Sequence, residues 1–425
     1  MPPSIPFAFL ILGLFGCTGD SPKSVVASGG PDNPTWTHDI QPMVEQHCVR
    51  CHKADGLGTG SFDDYESVVA MSEVMHASMA RGDMPPPAAD PDCRDYEGSD
   101  ILHLPDEKMD MFAKWIELGT PYGDEADLRD YESTEYVLED ADLEVMMQAP
   151  YQARFAGENP LNEYRCFALP HGRDEAFYIT ALHPIVDNEK MSHHVIIGTA
   201  PSDQVVPGSF SPEGADCIEG GGGFATGEDQ TLLGGWAPGM RPVFLPEGTG
   251  IRVEPDHAII MQLHYYKSDL TESESVDYSG MAFKTAETVE TELFMFPVGT
   301  TEFTIPAGAS AYTKERSFIM PYGFKIWGSI PHMHSLGTGY SFSVSHGGEE
   351  HCVVQSDRYD FDNQQNYLFK EPLVAPANSL YQWSCRWNNS TSNPNLIIDP
   401  PQDVGYGEGS EEEMCFMFPL FSRLD

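Results

Sequence analysis

The sequence predicts a multidomain chain in which a small all-α unit is followed by two all-β sandwiches. Three observations predict it. The 425 residues exceed what one hydrophobic core usually serves. Helix-period apolar patterns run to about residue 122, and past residue 143 they give way to short alternating runs broken by Gly and Pro. Val195-Ile196-Ile197, Ile259 to Tyr266, Phe324 to Trp327 and Tyr340 to Val344 read as strands, and the roughly 280 residues of this character suit two sandwiches.

Asp+Glu 66 against Lys+Arg 23 give a formal charge of −43. That field repels nucleic acid and anionic lipid and leaves basic partners or, more plainly, an acidic, solvated surface. Met1 to Gly16 is apolar through PFAFLILGLFG and is followed by Cys17, so residues 1–17 read as a signal peptide with a lipoprotein cleavage site, and 18–32 as a linker. The n-region carries no Lys or Arg and Phe15 is bulky for its position, so a soluble secreted form is the alternative. The expected product is an exported lipoprotein lipidated at Cys17, periplasmic or at the surface of a bacterial envelope. No later apolar run approaches the ~18 residues a spanning helix needs, so the membrane is met only through the lipid.

Nine cysteines in an exported chain suggest disulfides. Cys17 goes to lipid. Cys48 and Cys51 lie in Cys48-Val49-Arg50-Cys51-His52, the C-x-x-C-H pattern in which two thiols take up haem vinyl groups and the histidine ligates iron. A zinc half-site, or a disulfide beside a histidine, is the plainer alternative. Six cysteines remain: Cys93, Cys166, Cys217, Cys352, Cys385 and Cys415.

The surroundings of the motif agree with haem. A helix pattern from Asp39 to Val44 leads into it. Met71, Met75 and Met79 recur every four residues, as helix core does. Met84 stands instead in Gly82-Asp83-Met84-Pro85-Pro86-Pro87, where the prolines exclude helix and hold a thioether on a stiff loop, as a distal ligand requires. A helix from Pro105 to Leu118 then stops at Gly119. Residues 33–122 therefore resemble a class I cytochrome c, which implies haem c on Cys48, Cys51, His52 and Met84. An acidic connector, 123–142, follows.

Five histidines further on suggest metal. His332 and His334 are spaced by two on or beside a strand, which puts both imidazoles on one side. His193 and His194 are adjacent and need a local twist to act together, with His264 on another strand completing a set of three. The pair lacks a third donor. A methionine would supply a soft thioether that favours Cu(I) over zinc, and Met414 in GSEEEMCFMF is placed to do so.

The segments Met191 to Gly198, Met261-Gln262-Leu263-His264-Tyr265, His332 to Gly337 and Glu413-Met414-Cys415 resemble, in order and character, the copper type II, ascorbate-dependent monooxygenases, which include peptidylglycine α-hydroxylating monooxygenase and dopamine β-monooxygenase. The likeness covers about residues 140 to 425, with Gly234 to Gly239 and Leu245 to Gly248 also similar. It implies two jelly-roll-like sandwiches, 143–287 and 288–425, each holding one copper across a wet cleft. His193, His194 and His264 would hold the electron-transfer copper. His332, His334 and Met414 would hold the catalytic copper. It also implies disulfides Cys166–Cys217 and Cys385–Cys415, the second fixing Met414. Cys93 and Cys352 have no counterpart and, as the leftover pair, are candidates for a bridge from the helical unit to the second sandwich.

One departure bears on substrate. Where the peptide-amidating member grips a carboxylate with arginine, asparagine and tyrosine, this chain has Ile330, Phe416 and Phe418, which suits an apolar or aromatic small molecule. The expected function is hydroxylation of a C–H bond of such a molecule with O2. An external donor, whether ascorbate, a quinol-linked system or a redox protein, would feed electrons through the haem. A non-enzymatic haem/copper electron-transfer or copper-binding lipoprotein is the alternative. A zinc hydrolase is disfavoured by Met414.

Overall fold

The computed structural model describes residues 29–424 except 55, 57, 130–136, 157–160, 218–228, 268–270 and 408. Cys17 and the linker up to residue 28 lie outside the described residues. Among those described, no helix is long and apolar enough to cross a membrane.

The structure is predominantly β, and it corrects the expectation of an all-α cytochrome c domain. Among the described residues, the four α-helices, α1 Gln41–His47, α2 Tyr65–Ala80, α3 Ser99–Leu102 and α4 Asp106–Glu117, do not make a self-contained unit. α2 begins where the Asp64 side chain accepts from the Ser67 amide. Val68, Met75 and Met79 on its inner face pack with Trp36, Phe112 and Trp115. Part of the segment between α2 and α4, however, packs into the sheets. Ala88, Ala89 and Tyr96 are buried in the core of the second sandwich. Tyr96 bridges Phe369, the Asp90 amide donates to the Gln355 carbonyl (2.8 Å), and Cys93 is bonded to Cys352. The helix pattern was readable in sequence, but nothing local to residues 88–103 shows that their apolar side chains are spent on a core about 260 residues away.

The strands form two layered halves. In the first, a five-stranded sheet runs in the order Ala215–Asp216, Asn162–Leu169, His257–Tyr266, Ser192–Pro201, Thr231–Trp236. It packs on strands Leu143–Met146, Gly280–Ala286, Phe177–Ile185 and Thr249–Val253 around Phe167, Ile197, Met261, Leu263 and Phe283. In the second, a four-stranded sheet (Tyr312–Met320, Ser379–Trp387, Gly337–His346, Glu349–Ser356) covers strands Phe416–Arg423, Phe324–His332 and Tyr367–Ala375. Alternation decides which face is buried: in Ser379–Trp387 every second residue, from Ser379 through Tyr381 and Trp383 to Trp387, is buried.

The halves share one sheet. Thr291–Met295 pairs in parallel with Thr249–Val253 and antiparallel with Phe416–Arg423, so a ten-stranded sheet crosses the expected boundary near residue 287. Cys166–Cys217 and Cys385–Cys415 staple one half each. The three disulfides point to an oxidising, exported environment.

Cys93–Cys352 closes the longest of these loops, with a sequence separation of 259. Replacing both residues by alanine is expected to cost about 2–4 kcal/mol of stability, read as a lowered unfolding midpoint in guanidinium.

Candidate metal centres

His193 and His194 lie on Ser192–Pro201, and His264 on the neighbouring strand. The twist that two adjacent histidines require is a β-bulge: His264 pairs with His194, but Tyr265 pairs with Ser192, leaving His193 as the extra residue. All three imidazoles therefore reach the same side. His193 Nδ1 is 3.0 Å from His194 Nδ1, which is 3.3 Å from His264 Nδ1.

The outer nitrogens are already engaged. His193 Nε2–H donates to Asp362 Oδ1 (2.7 Å) and His264 Nε2–H to Asn162 Oδ1 (2.6 Å). With the protons held there, both Nδ1 atoms turn lone pairs inward, and a single proton on His194 cannot satisfy both. A cation can. Burial holds the pKa of His194 and of His264 well below the ordinary histidine value, and the neutral ring is the form that ligates. Tyr164 stacks on His264 at 4.1 Å and fixes its plane.

His332 ends strand Phe324–His332, and the chain turns at buried Met333 so that the rings of His332 and His334 stand 5.2 Å apart and nearly perpendicular. Here it is Nδ1 that is engaged. His332 Nδ1–H donates to Gln364 Oε1 (2.6 Å) and His334 Nδ1–H to the Glu412 carbonyl (3.1 Å), which leaves both Nε2 atoms for a metal. Burial lowers His332 and takes His334 down to about 3.

Met414 reaches this place through Glu413. That carboxylate is fully buried and accepts from four N–H groups: His334 (3.0 Å), Leu336 (2.7 Å), Met414 (3.2 Å) and Trp387 Nε1 (2.9 Å). One side chain thus ties the histidine turn to the Met-Cys segment, and Cys385–Cys415 holds the next residue. Burial pushes Glu413 up to about 7, while the four donors favour its ionised form.

The first set, through His194 alone, and the second set border one cavity of about 370 Å³. His194, His332, His334 and Met414 line it, and its other walls include Trp236, Met295, Phe296, Ile330, Phe416 and Phe418. Among the described residues, none of the lining side chains is Asp, Glu, Lys or Arg. Phe361 stands between the sets, its ring 5.2 Å from His193 and 5.8 Å from His334. Asp362, Gln364, Phe361 and Asn162 escaped sequence reasoning because each lies on a loop or strand end with no motif of its own.

In the C-x-x-C-H segment, Cys48 and Cys51 are the free cysteines among the described residues. Burial pushes the Cys48 thiol up to about 12 and raises Cys51. His52 stacks on Phe62 and donates from Nδ1 to the Thr59 carbonyl (3.1 Å), leaving Nε2 available. Arg50 is buried, with Nε and Nη2 lacking an acceptor. This donor set fits a covalently attached haem. Cys51 also presses on the first half: a β-carbon on Gly239 would stand 2.7 Å from its sulfur. Met84 is 41 % exposed on its loop, whereas Met75 and Met79 share the core that holds Val49 and Phe62.

No known family profile matches the chain, and no curated protein does. Among solved structures it is similar to a Paenibacillus xanthan lyase, at 10% identity over 70% of this chain and 28% of that one, with a TM-score of 0.16. It is likewise similar to infectious bursal disease virus Gx strain, at 9% identity over 68% and 82%, TM-score 0.16. The chain spans 28% of the xanthan lyase. At such TM-scores these likenesses carry no argument.

Removing the Glu413 carboxylate strands buried donors, each worth about 1–3 kcal/mol. Glu413→Ala is expected to lose about 3 kcal/mol or more in urea unfolding. It should also weaken metal at His332/His334, measured by metal analysis after dialysis, while sparing the three-histidine set.

Proposed function

We propose that the protein is an exported, copper-dependent monooxygenase that hydroxylates a C–H bond of a small, neutral, apolar or aromatic molecule. The observation that carries this reading is that a three-histidine set, through His194, and His332, His334 and Met414 border a single cavity with no charged side chain among the described lining residues. His193, His194 and His264 would hold one copper, and His332, His334 and Met414 the other. Cys48, Cys51 and His52, with Met84, would hold a haem c. Copper when bound supplies O2 activation and haem supplies one-electron transfer, which suits a reaction consuming O2, two electrons and two protons to leave an alcohol and water.

The chain's own residues do the rest. Thioether and imidazole donors of mixed softness favour copper over zinc at the second set. Ile330, Phe416 and Phe418 present no charge-assisted donor to a carboxylate, so these walls favour a neutral substrate. A flat apolar ring gains from the same walls. Gly239 against Cys51 brings the C-x-x-C-H segment directly onto the half that carries the three histidines, which supports delivery of electrons within one chain from an external donor such as ascorbate, a quinol-linked system or a redox protein. Attachment to a bacterial envelope through Cys17 belongs to the same reading.

The test is oxygen uptake by copper-loaded protein with a reductant and a panel of neutral and carboxylated small aromatics. Uptake coupled to a hydroxylated neutral product is expected. Met414→Ala should keep one copper and lower the rate at least about tenfold. Zinc as the native metal, or unchanged uptake in that variant, would overturn the proposal, and redox-active copper without any product would favour a non-enzymatic electron carrier.

A further inference from the structure

Residues 357–366 join strands Glu349–Ser356 and Tyr367–Ala375 of the second half, and they touch both histidine sets and the loop that carries Met84. Tyr359 Oη brackets the histidine turn, accepting from the Met333 amide (3.1 Å) and donating to its carbonyl (2.7 Å). Gln364 accepts from His332 Nδ1. Asp362 reaches the other half and accepts from His193 Nε2 at 2.7 Å, and Asn366 donates to the Gly235 carbonyl of that half at 2.8 Å. Toward the helices, Asn363 donates to the Pro87 carbonyl (3.0 Å), and Arg358 pairs with Asp83 (3.2 Å) next to Met84.

The two contacts to histidine are of one kind. In each, a side-chain oxygen takes the proton of the nitrogen facing away from the metal place, so the opposite nitrogen is left as a donor. His193 receives this from a residue of the other half. The three histidines can all be supplied by the first half, but the tautomer and orientation of His193 are set from across the gap.

We propose that Asp362 is a positioning residue for the three-histidine centre, delivered by a strap, Arg358 to Asn366, whose Gln364 does the same for His332. The first centre is then at full affinity only when the strap is seated against its half. The Asp362 side chain is 77 % exposed, so the contact is formed at the edge of the gap and can open without unfolding either core. The inference rests on the two-copper reading above.

The experiment is stepwise copper binding to the full chain, by competition with a chromophoric chelator, with the electron paramagnetic resonance of the oxidised metal recorded at each step. Asp362→Ala should weaken copper at His193/His194/His264 about tenfold and alter that centre's hyperfine pattern. Copper at His332/His334/Met414 should keep its spectrum, and the unfolding midpoint should stay where it is. Asp362→Asn retains an oxygen that can accept from Nε2–H and should restore most of the affinity. Gln364→Ala should instead disturb the second centre. Two coppers bound by the unaltered chain, with affinity and spectrum unchanged in Asp362→Ala, would overturn the strap and leave the two-copper reading standing. Fewer than two coppers in the unaltered chain would overturn that reading, and the strap with it.

Discussion

Glu413 is a carboxylate with four N–H donors and full burial, and the second centre depends on what it ties together. A buried ion costs several kcal/mol unless its lone pairs are met. Here they are met by the amides of His334 and Leu336, by the amide of Met414, and by the indole of Trp387 on the strand that also carries Cys385. Remove the carboxylate and the histidine turn, the methionine and the indole lose their common reference. Met414 then loses the tie that holds its backbone to the turn carrying His334.

The same economy appears at larger scale. The halves are not independent beads, because strand Thr291–Met295 continues one sheet into the other. That continuity fixes the cavity walls, which draw Met295, Phe296 and Phe416 from the joined region and Trp236 from the first half. The helices are drawn into this frame as well. Cys51 lies on Gly239 of one half while Cys93 is bonded to Cys352 of the other, so the C-x-x-C-H segment is held against the β body on both sides.

Part of the candidate site was legible in the sequence: His193, His194 and His264, expected as one set, do come together. His332 and His334 were paired by their spacing of two, although a turn at Met333 and not a continuous strand sets their rings, and Met414 was singled out as a soft donor and by family likeness. The pairings of all six cysteines beyond the C-x-x-C-H and the leader were readable, two of them through family likeness and the third as a leftover. The twist at His193 was foreseeable as a need but not as a bulge, since register depends on a partner strand about 70 residues away. What failed was the idea of a separate all-α domain: helix periodicity reports which face is apolar, not which core receives it, and Ala89 and Tyr96 belong to the sheets. Asp362 and Gln364 were invisible for a related reason, because a polar residue on a loop shows its partner only once the chain is folded.

The central claim is that Met414 completes a copper centre with His332 and His334 while the three other histidines form a centre of nitrogen alone. X-ray absorption at the copper edge of the reduced protein carrying two coppers tests this directly. The account predicts nitrogen neighbours at both coppers and a sulfur neighbour at one of them, with the sulfur lost in Met414→Ala. A spectrum without sulfur in the unaltered protein, or a sulfur signal that survives that substitution, would contradict it.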